Sequence, residues 1–175
     1  SFSHLAAVRH FGSSVAFEDL HEIDGVFTEV SRGHVNYGLV PIENSIGGGI
    51  VETLTSFQQR FSEVNIYAEV QLEVHLCLLA QCEPKQVRRI HSKPEVFSQC
   101  RQWLATQYPQ AELIPADTSS RASMTAVEEC KMARQIGAEP GSAAVGSELA
   151  AELYGLKVLF AKIEDHAHNI TRFAV

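Results

Sequence analysis

Apolar positions along this chain alternate between two periods. Ile23, Val26, Phe27 and Val30 fall at i, i+3, i+4 and i+7, with Gly33 as a stop signal, which predicts a helix. Ile50, Leu54, Phe57 and Phe61 mark a second helix face. Between them Tyr37-Gly38-Leu39-Val40-Pro41-Ile42 reads as a short strand that ends at its proline. Residues 66–79 switch to period two. Leu72, Val74, Leu76 and Leu78 lie on one side and Glu73, His75 and Cys77 on the other, the pattern of one long half-buried strand. Further strands are expected at 87–90, 113–114, 143–145, 158–163 and 171–175. Ser92 reads as the N-cap of a helix with Pro94 in its first turn and Glu95 completing a capping box; its buried face is Val96, Cys100, Trp103 and Leu104. Thr118-Ser119-Ser120 opens another helix, which buries Ala122, Ala126 and Cys130 and ends before Gly137 and Pro140. Ser147 caps residues 148–154 and Gly155 stops them.

This βαβα alternation predicts an α/β fold with mostly parallel sheets. The stretch 66–79 is too extended for one compact lobe, so it reads as a strand crossing between two lobes. Residues 160–165 would cross back, and the C-terminal strand would complete the first lobe. Lobe one is then about 1–75 plus 161–175, and lobe two about 76–160.

Composition narrows the function more than the fold. The chain has 175 residues, 45% hydrophobic and 20% charged, which is ordinary globular usage. Its longest apolar stretches fall far short of the ~18 residues a membrane helix needs. Lys and Arg number 14 against 21 Asp and Glu, a net charge of −7 without a basic window, which argues against nucleic acid as a partner. Cys77, Cys82, Cys100 and Cys130 contain no C-x-x-C pair and read as reduced thiols in a cytoplasmic protein. The sequence begins with Ser1 and shows no signal peptide, as expected of a processed chain or a piece of a longer one.

An acidic chain that binds an anion must do so with local groups. Three polar turns follow a strand and precede a helix: Glu43-Asn44-Ser45-Ile46-Gly47-Gly48-Gly49, Ser92-Lys93-Pro94 and Thr118-Ser119-Ser120-Arg121. A fourth, Ser1-Phe2-Ser3, opens the first helix. Such positions present unpaired N–H groups to carboxylates and phosphates. Each turn alone is explained as well by ordinary helix capping; the three together point to a small-anion site. Asp165, His166 and His168 lack a further metal ligand and read as a polar loop. Gly47-Gly48-Gly49 matches no nucleotide-binding motif.

Four strings give the chain a family resemblance. They are Gly38-Leu39-Val40-Pro41-Ile42-Glu43-Asn44-Ser45, the helix from Ser92-Lys93-Pro94 to Gln99-Cys100, Ala144-Val145-Gly146-Ser147 with Tyr154-Gly155-Leu156, and Asn169-Ile170-Thr171-Arg172-Phe173. In order and spacing they resemble the prephenate dehydratase family over nearly the whole chain. The resemblance implies two α/β lobes like a type II periplasmic binding protein, with the active site in the cleft between them. It also implies decarboxylating dehydration of prephenate to phenylpyruvate in L-phenylalanine biosynthesis. By position it makes Thr171 and Glu43 the catalytic candidates, and Asn44, Ser45, Ser92, Gln99, Thr118, Ser119 and Arg172 the substrate-binding ones. Gln99, seven residues past Ser92, would lie on the same helix side. Arg172 would point opposite to Thr171 on a strand, supporting the site from behind or pairing with an acid. The family's opening strand and Gly-Pro-x-Gly-Thr turn are not present upstream of Ser1, Lys93 stands where many members have histidine, and no ACT domain follows. A homodimer is expected, joined in the full-length protein to an ACT domain and in some members to a chorismate mutase domain.

The implied chemistry needs no metal and no organic cofactor. Hydroxide leaves poorly, so the ring hydroxyl must be hydrogen-bonded or protonated as it departs, while the ring carboxylate leaves as CO2 and the ring becomes aromatic. Thr171 can donate a hydrogen bond but is a weak acid. Glu43 is the one carboxyl among the residues the resemblance singles out, and a general acid and a salt bridge fit it equally. Arogenate, the amino analogue, and a non-catalytic module binding a small carboxylate remain alternatives at this point.

Overall fold

The structure is a computed structural model that describes residues 2–20, 22–60 and 63–175. Ser1 and Phe61, named above, lie outside the described residues. The chain divides into two units, Phe2–Val74 with His168–Val175, and His75–Ala167. Each carries its own sheet, which makes the fold class α/β.

The first unit holds helices α1 (Phe2–Phe11), α2 (Ile23–Ser31) and α3 (Val51–Arg60) and strands β1 (Val40–Asn44), β2 (Gly48–Gly49), β3 (Glu69–Glu73) and, from the far end of the chain, β9 (Ile170–Ala174). The strand order is β2-β1-β9-β3, and every pairing is antiparallel. The expectation of mostly parallel strands fails here because the C-terminal strand enters between β1 and β3 against the direction of both. Alternation along β9 assigns each face its core. Phe173 packs with Ala6 of α1 and Leu72, whereas Ala174 packs with Phe27 of α2 and Val40. Fully burying a side chain such as Phe173 stabilises the fold by roughly 1.5–3 kcal/mol. Helices α2 and α3 are joined by a fork from Arg60 to both oxygens of Asp24, at 2.6 and 3.0 Å, which holds the Asp24 carboxyl below its usual range.

The second unit holds β4 (Cys77–Ala80), β5 (Arg89–Ser92), α4 (Pro94–Gln99), α5 (Arg101–Gln107), β6 (Glu112–Pro115), α6 (Ser119–Gln135), β7 (Ser142–Gly146), α7 (Glu148–Tyr154) and β8 (Lys157–Phe160). Its order is β6-β5-β7-β4-β8. Only β5 runs parallel to its neighbours, β6 and β7; β4 is antiparallel to β7 and β8. The sequence 66–79 is thus two strands, β3 and β4, in different sheets. Strand β4 is buried on both faces rather than half-buried, because it has a strand on each side and Cys77 and Leu79 pack with Val127, Ala150 and Leu156.

Three local expectations also change. The helix expected after residue 92 breaks at Cys100 (φ −117°, ψ 16°), where the Asp165 carboxylate accepts from Gln102 N at 2.9 Å and Trp103 N at 3.0 Å and starts α5 afresh. Strand β8 stops at Phe160, and residues 161–167 stay with the second unit, so the return falls after Ala167 rather than near 161. Ile163 N donates to Leu76 O, and buried Glu164 accepts from Leu76 N at 2.9 Å and lies 2.8 Å from His75 Nδ1. Finally, Lys93 rather than Ser92 is the N-cap of α4, and no side chain caps it. Thr118 and Ser147 do cap, accepting from Arg121 N and Ala150 N, and Gly155 closes α7 in the left-handed conformation (φ 64°). Among the described residues no helix is long and apolar enough to cross a membrane.

Candidate active site

Strand β1 ends in Asn44, and the chain then turns sharply. Asn44 Oδ1 accepts from Ile46 N and Gly47 N, both at 2.9 Å, an Asx turn that fixes the side chain at the strand end. Ser45 clasps this turn to the C-terminal strand. Its N–H donates to Ile170 O, its hydroxyl donates to His168 O at 2.9 Å, and its Oγ accepts from Ile170 N at 2.9 Å. The register Asn44↔Thr171 follows. Asn44 Nδ2 donates to Thr171 Oγ1 at 3.0 Å and to Asn169 Oδ1 at 2.8 Å. Asn169 is 1% exposed, and its carbonyl accepts from Val74 N. Asn44 and Thr171, both singled out from sequence, are therefore hydrogen-bonded to each other, and Ser45 fastens the same turn to the start of β9.

Glu43 and Arg172 form a separate group. Neighbouring strand residues face opposite ways, so both point away from Thr171. Arg172 Nη1 donates to Glu43 Oε2 at 2.6 Å, while its Nε and Nη2 donate to the two oxygens of Glu69 at 2.8 and 2.7 Å. The bonds from Arg172, and a weaker one from Gln71, bring the Glu69 carboxyl down to about 2, and Arg172 is driven up in turn. With its nitrogens on two carboxylates, Arg172 pairs with acids, as one of the two alternatives read from sequence has it. Glu43 stands in a salt bridge, on the face of the sheet turned away from Thr171.

The remaining candidates belong to the second unit. Ser92 closes β5, is fully buried, and donates to Val145 O at 3.1 Å, so it ties β5 to β7. Since Ser92 lies on the strand, Gln99, at the end of α4, does not share a helix face with it. Gln99 is half-buried, and its carbonyl accepts from Asp165 N. Thr118 and Ser119 begin α6; Thr118 is exposed, and its hydroxyl oxygen takes the Arg121 N–H at 3.0 Å. Asp165, read from sequence as part of a polar loop with His166 and His168, is a helix cap. Among the described residues no three His, Cys, Asp or Glu side chains are grouped to hold a metal ion.

Sequence reasoning missed two participants. Asn169 stands two before Thr171, a spacing that on a strand shares one face, so period two was a usable signal. Glu69 carried no signal, since it meets Arg172 from 103 residues away.

Known proteins resemble this chain along its whole length. The family model for prephenate dehydratase matches residues 1–175. The bifunctional chorismate mutase/prephenate dehydratase of Stutzerimonas stutzeri is 39% identical over 177 residues, covering 100% of this chain and 45% of its own length. The prephenate dehydratase of Mycolicibacterium vanbaalenii is 32% identical over 148 residues, covering 83% of this chain and 44% of its own. The chain thus spans a little under half the length of these curated relatives. The crystal structure of a prephenate dehydratase from Arthrobacter aurescens in complex with L-Phe superposes with a TM-score of 0.86 at 25% identity, over 99% of this chain and 56% of that one. With the family model matching residues 1–175 and a relative 39% identical over 100% of this chain, the chain belongs to the prephenate dehydratase family.

Proposed function

We propose that this chain carries out the decarboxylating dehydration of prephenate to phenylpyruvate in L-phenylalanine biosynthesis, with Thr171 at the departing hydroxyl. The observation that carries the assignment is the Asn44–Thr171 bond inside a family match covering the whole chain. Prephenate and one proton give phenylpyruvate, CO2 and water. The ring C–O bond breaks toward the hydroxyl, the bond to the ring carboxylate breaks toward the ring, and that electron pair completes the aromatic system. A hydrogen bond to the departing oxygen, positioned in advance, lowers this barrier. Glu43 acts through Arg172 on the alignment of β1 and β9. Gln99 and the Thr118-Ser119 turn are assigned to the substrate's carboxylates. No metal or organic cofactor enters the reaction.

The wider setting is part of the same reading. A chorismate mutase is named in the S. stutzeri relative, and its rearrangement supplies prephenate. A chorismate mutase domain is assigned to the full-length protein on this ground, and an ACT domain, a homodimer and a cytoplasmic location on the family resemblance alone.

The test is steady-state formation of phenylpyruvate by the wild type, Thr171→Ala and Thr171→Ser, with prephenate and arogenate offered separately. Prephenate turnover that falls by about 10²-fold or more in Thr171→Ala, with KM nearly unchanged, is expected, and Thr171→Ser retains more. Equal rates for Thr171→Ala and wild type overturn the role of Thr171. Turnover of arogenate alone overturns the substrate.

A further inference from the structure

Hydrogen-bond polarity around Thr171 can be read from groups that have no choice. Backbone N–H groups only donate, so the Asn44 atom that meets Ile46 N and Gly47 N, both at 2.9 Å, must be the amide oxygen. The other end of that amide is then the NH2, which has two hydrogens and no acceptor site. It stands 2.8 Å from Asn169 and 3.0 Å from Thr171 Oγ1. Asn169 must therefore present its oxygen, and Thr171 Oγ1 must accept. A threonine hydroxyl has one hydrogen. As Oγ1 accepts from Asn44, that hydrogen is kept for another partner. Among the described residues Thr171 Oγ1 has no hydrogen bond besides the one from Asn44.

We propose that Asn44 is a positioning residue that sets the polarity of the Thr171 hydroxyl, so that Thr171 meets the substrate's departing hydroxyl as a donor. The proposal rests on the reading of Thr171 given above and moves Asn44 from substrate contact to action through Thr171. Thr171 keeps its proton. It donates a hydrogen bond while the ring C–O bond breaks, and the proton that completes the departing water comes from solvent. Asn169, buried and aimed at the Asn44 amide, keeps that amide from turning. Two main-chain N–H groups in a turn thereby determine which way a side chain two bonds further on offers its proton.

Asn44→Asp isolates the effect. Its carboxylate still accepts from Ile46 N and Gly47 N, so the turn is kept, but it has no N–H to give Thr171. The Thr171 hydroxyl then donates to Asp and is lost to the substrate. Measured on the full chain with prephenate, Asn44→Asp is expected to lose about 10²-fold or more in kcat, close to the loss in Thr171→Ala. The double variant is expected to be no slower in kcat than Thr171→Ala within about 3-fold, because both changes remove one interaction. The added negative charge raises KM in the single and the double variant alike. Wild-type kcat in Asn44→Asp, or losses that multiply in the double variant, overturn the proposal. Wild-type kcat in Thr171→Ala overturns instead the reading on which it rests. Should Asn44→Asp fail to fold, the pair Asn169→Asp and Asn169→Leu carries the test. Asp keeps an acceptor for the Asn44 amide and Leu does not, so kcat is expected to fall further in Leu, and this difference is expected to vanish in the Thr171→Ala background. Equal kcat in the two variants, or a difference that persists there, overturns the proposal.

Discussion

Glu43 Oε2 and Arg172 Nη1 lie 2.6 Å apart across the β1–β9 ladder, on the face of the sheet turned away from Thr171. The same guanidinium grips Glu69, so one side chain spans β1, β9 and β3. These side chains are 38–46% exposed. Water screens such pairs, and their value lies in aligning three strands more than in raw stability.

Glu43→Gln keeps an acceptor for Arg172 and removes the acid. If Glu43 only aligns strands, kcat for prephenate falls by less than about 10-fold, against the 10²-fold or more expected for Thr171→Ala. The alkaline limb of the kcat profile, on which a general acid loses its proton, keeps its position. Loss or displacement of that limb in Glu43→Gln would make Glu43 the general acid.

Glu69 provides a pH test. Its pKa in the folded chain, about 2, lies below the ordinary 4.5, chiefly through the hydrogen bonds from Arg172. A depressed carboxylate stabilises fully above its unfolded pKa and loses that contribution as pH falls through the folded one. The melting temperature of the wild type should exceed that of Glu69→Gln by a constant margin above pH ~4.5, and the margin should shrink toward pH ~2. A margin that widens in acid contradicts the ion pair.

Asp165 caps α5 from 62 residues away, with both carboxylate oxygens on main-chain N–H groups. Asp165→Ala is expected to cost about 1 kcal/mol of stability, the usual price of a lost cap, while Asp165→Asn loses less. Urea unfolding of the three proteins measures this, and an Ala variant as stable as wild type rules the cap out.

The cysteines are expected to be inert. All four are buried and free. Burial first, then nearby acids, pushes Cys100 up to about 12, and burial pushes Cys82 up to about 11. A thiol reagent at pH 8 should label none of the four in the native chain and all of them in urea. Rapid native labelling of Cys100 would show that its site opens.

What could be read from sequence was local. The faces of α2 and α3, the caps Thr118 and Ser147 and the stop at Gly155 rest on contacts within a few residues, and the pattern carries them. The motif strings named Asn44 and Thr171 as candidates, but their pairing, 127 residues apart in the chain, was not legible. Strand direction was not legible, since helix–strand alternation does not say that β9 will enter between β1 and β3. Ser92 looked like a cap because Ser before Lys-Pro usually is one. Its burial depends on β7, whose Val145 carbonyl lies 53 residues away. Asp165 and Glu69 act across still longer gaps, which no local pattern encodes.

The place of β9 also imposes an order of assembly. The His75–Ala167 unit is one continuous stretch, complete before β9 is synthesised. The other sheet holds β9 between β1 and β3, which are not paired with each other. Its nucleation must close a loop of about a hundred residues, and such long-range contacts form late. In refolding followed by pulsed hydrogen exchange, amides of β5 and β7 gain protection before those of β1 and β3. Thr171 therefore enters its hydrogen-bonded place after the His75–Ala167 unit has formed, and until β9 is made the Asn44–Thr171 bond does not exist.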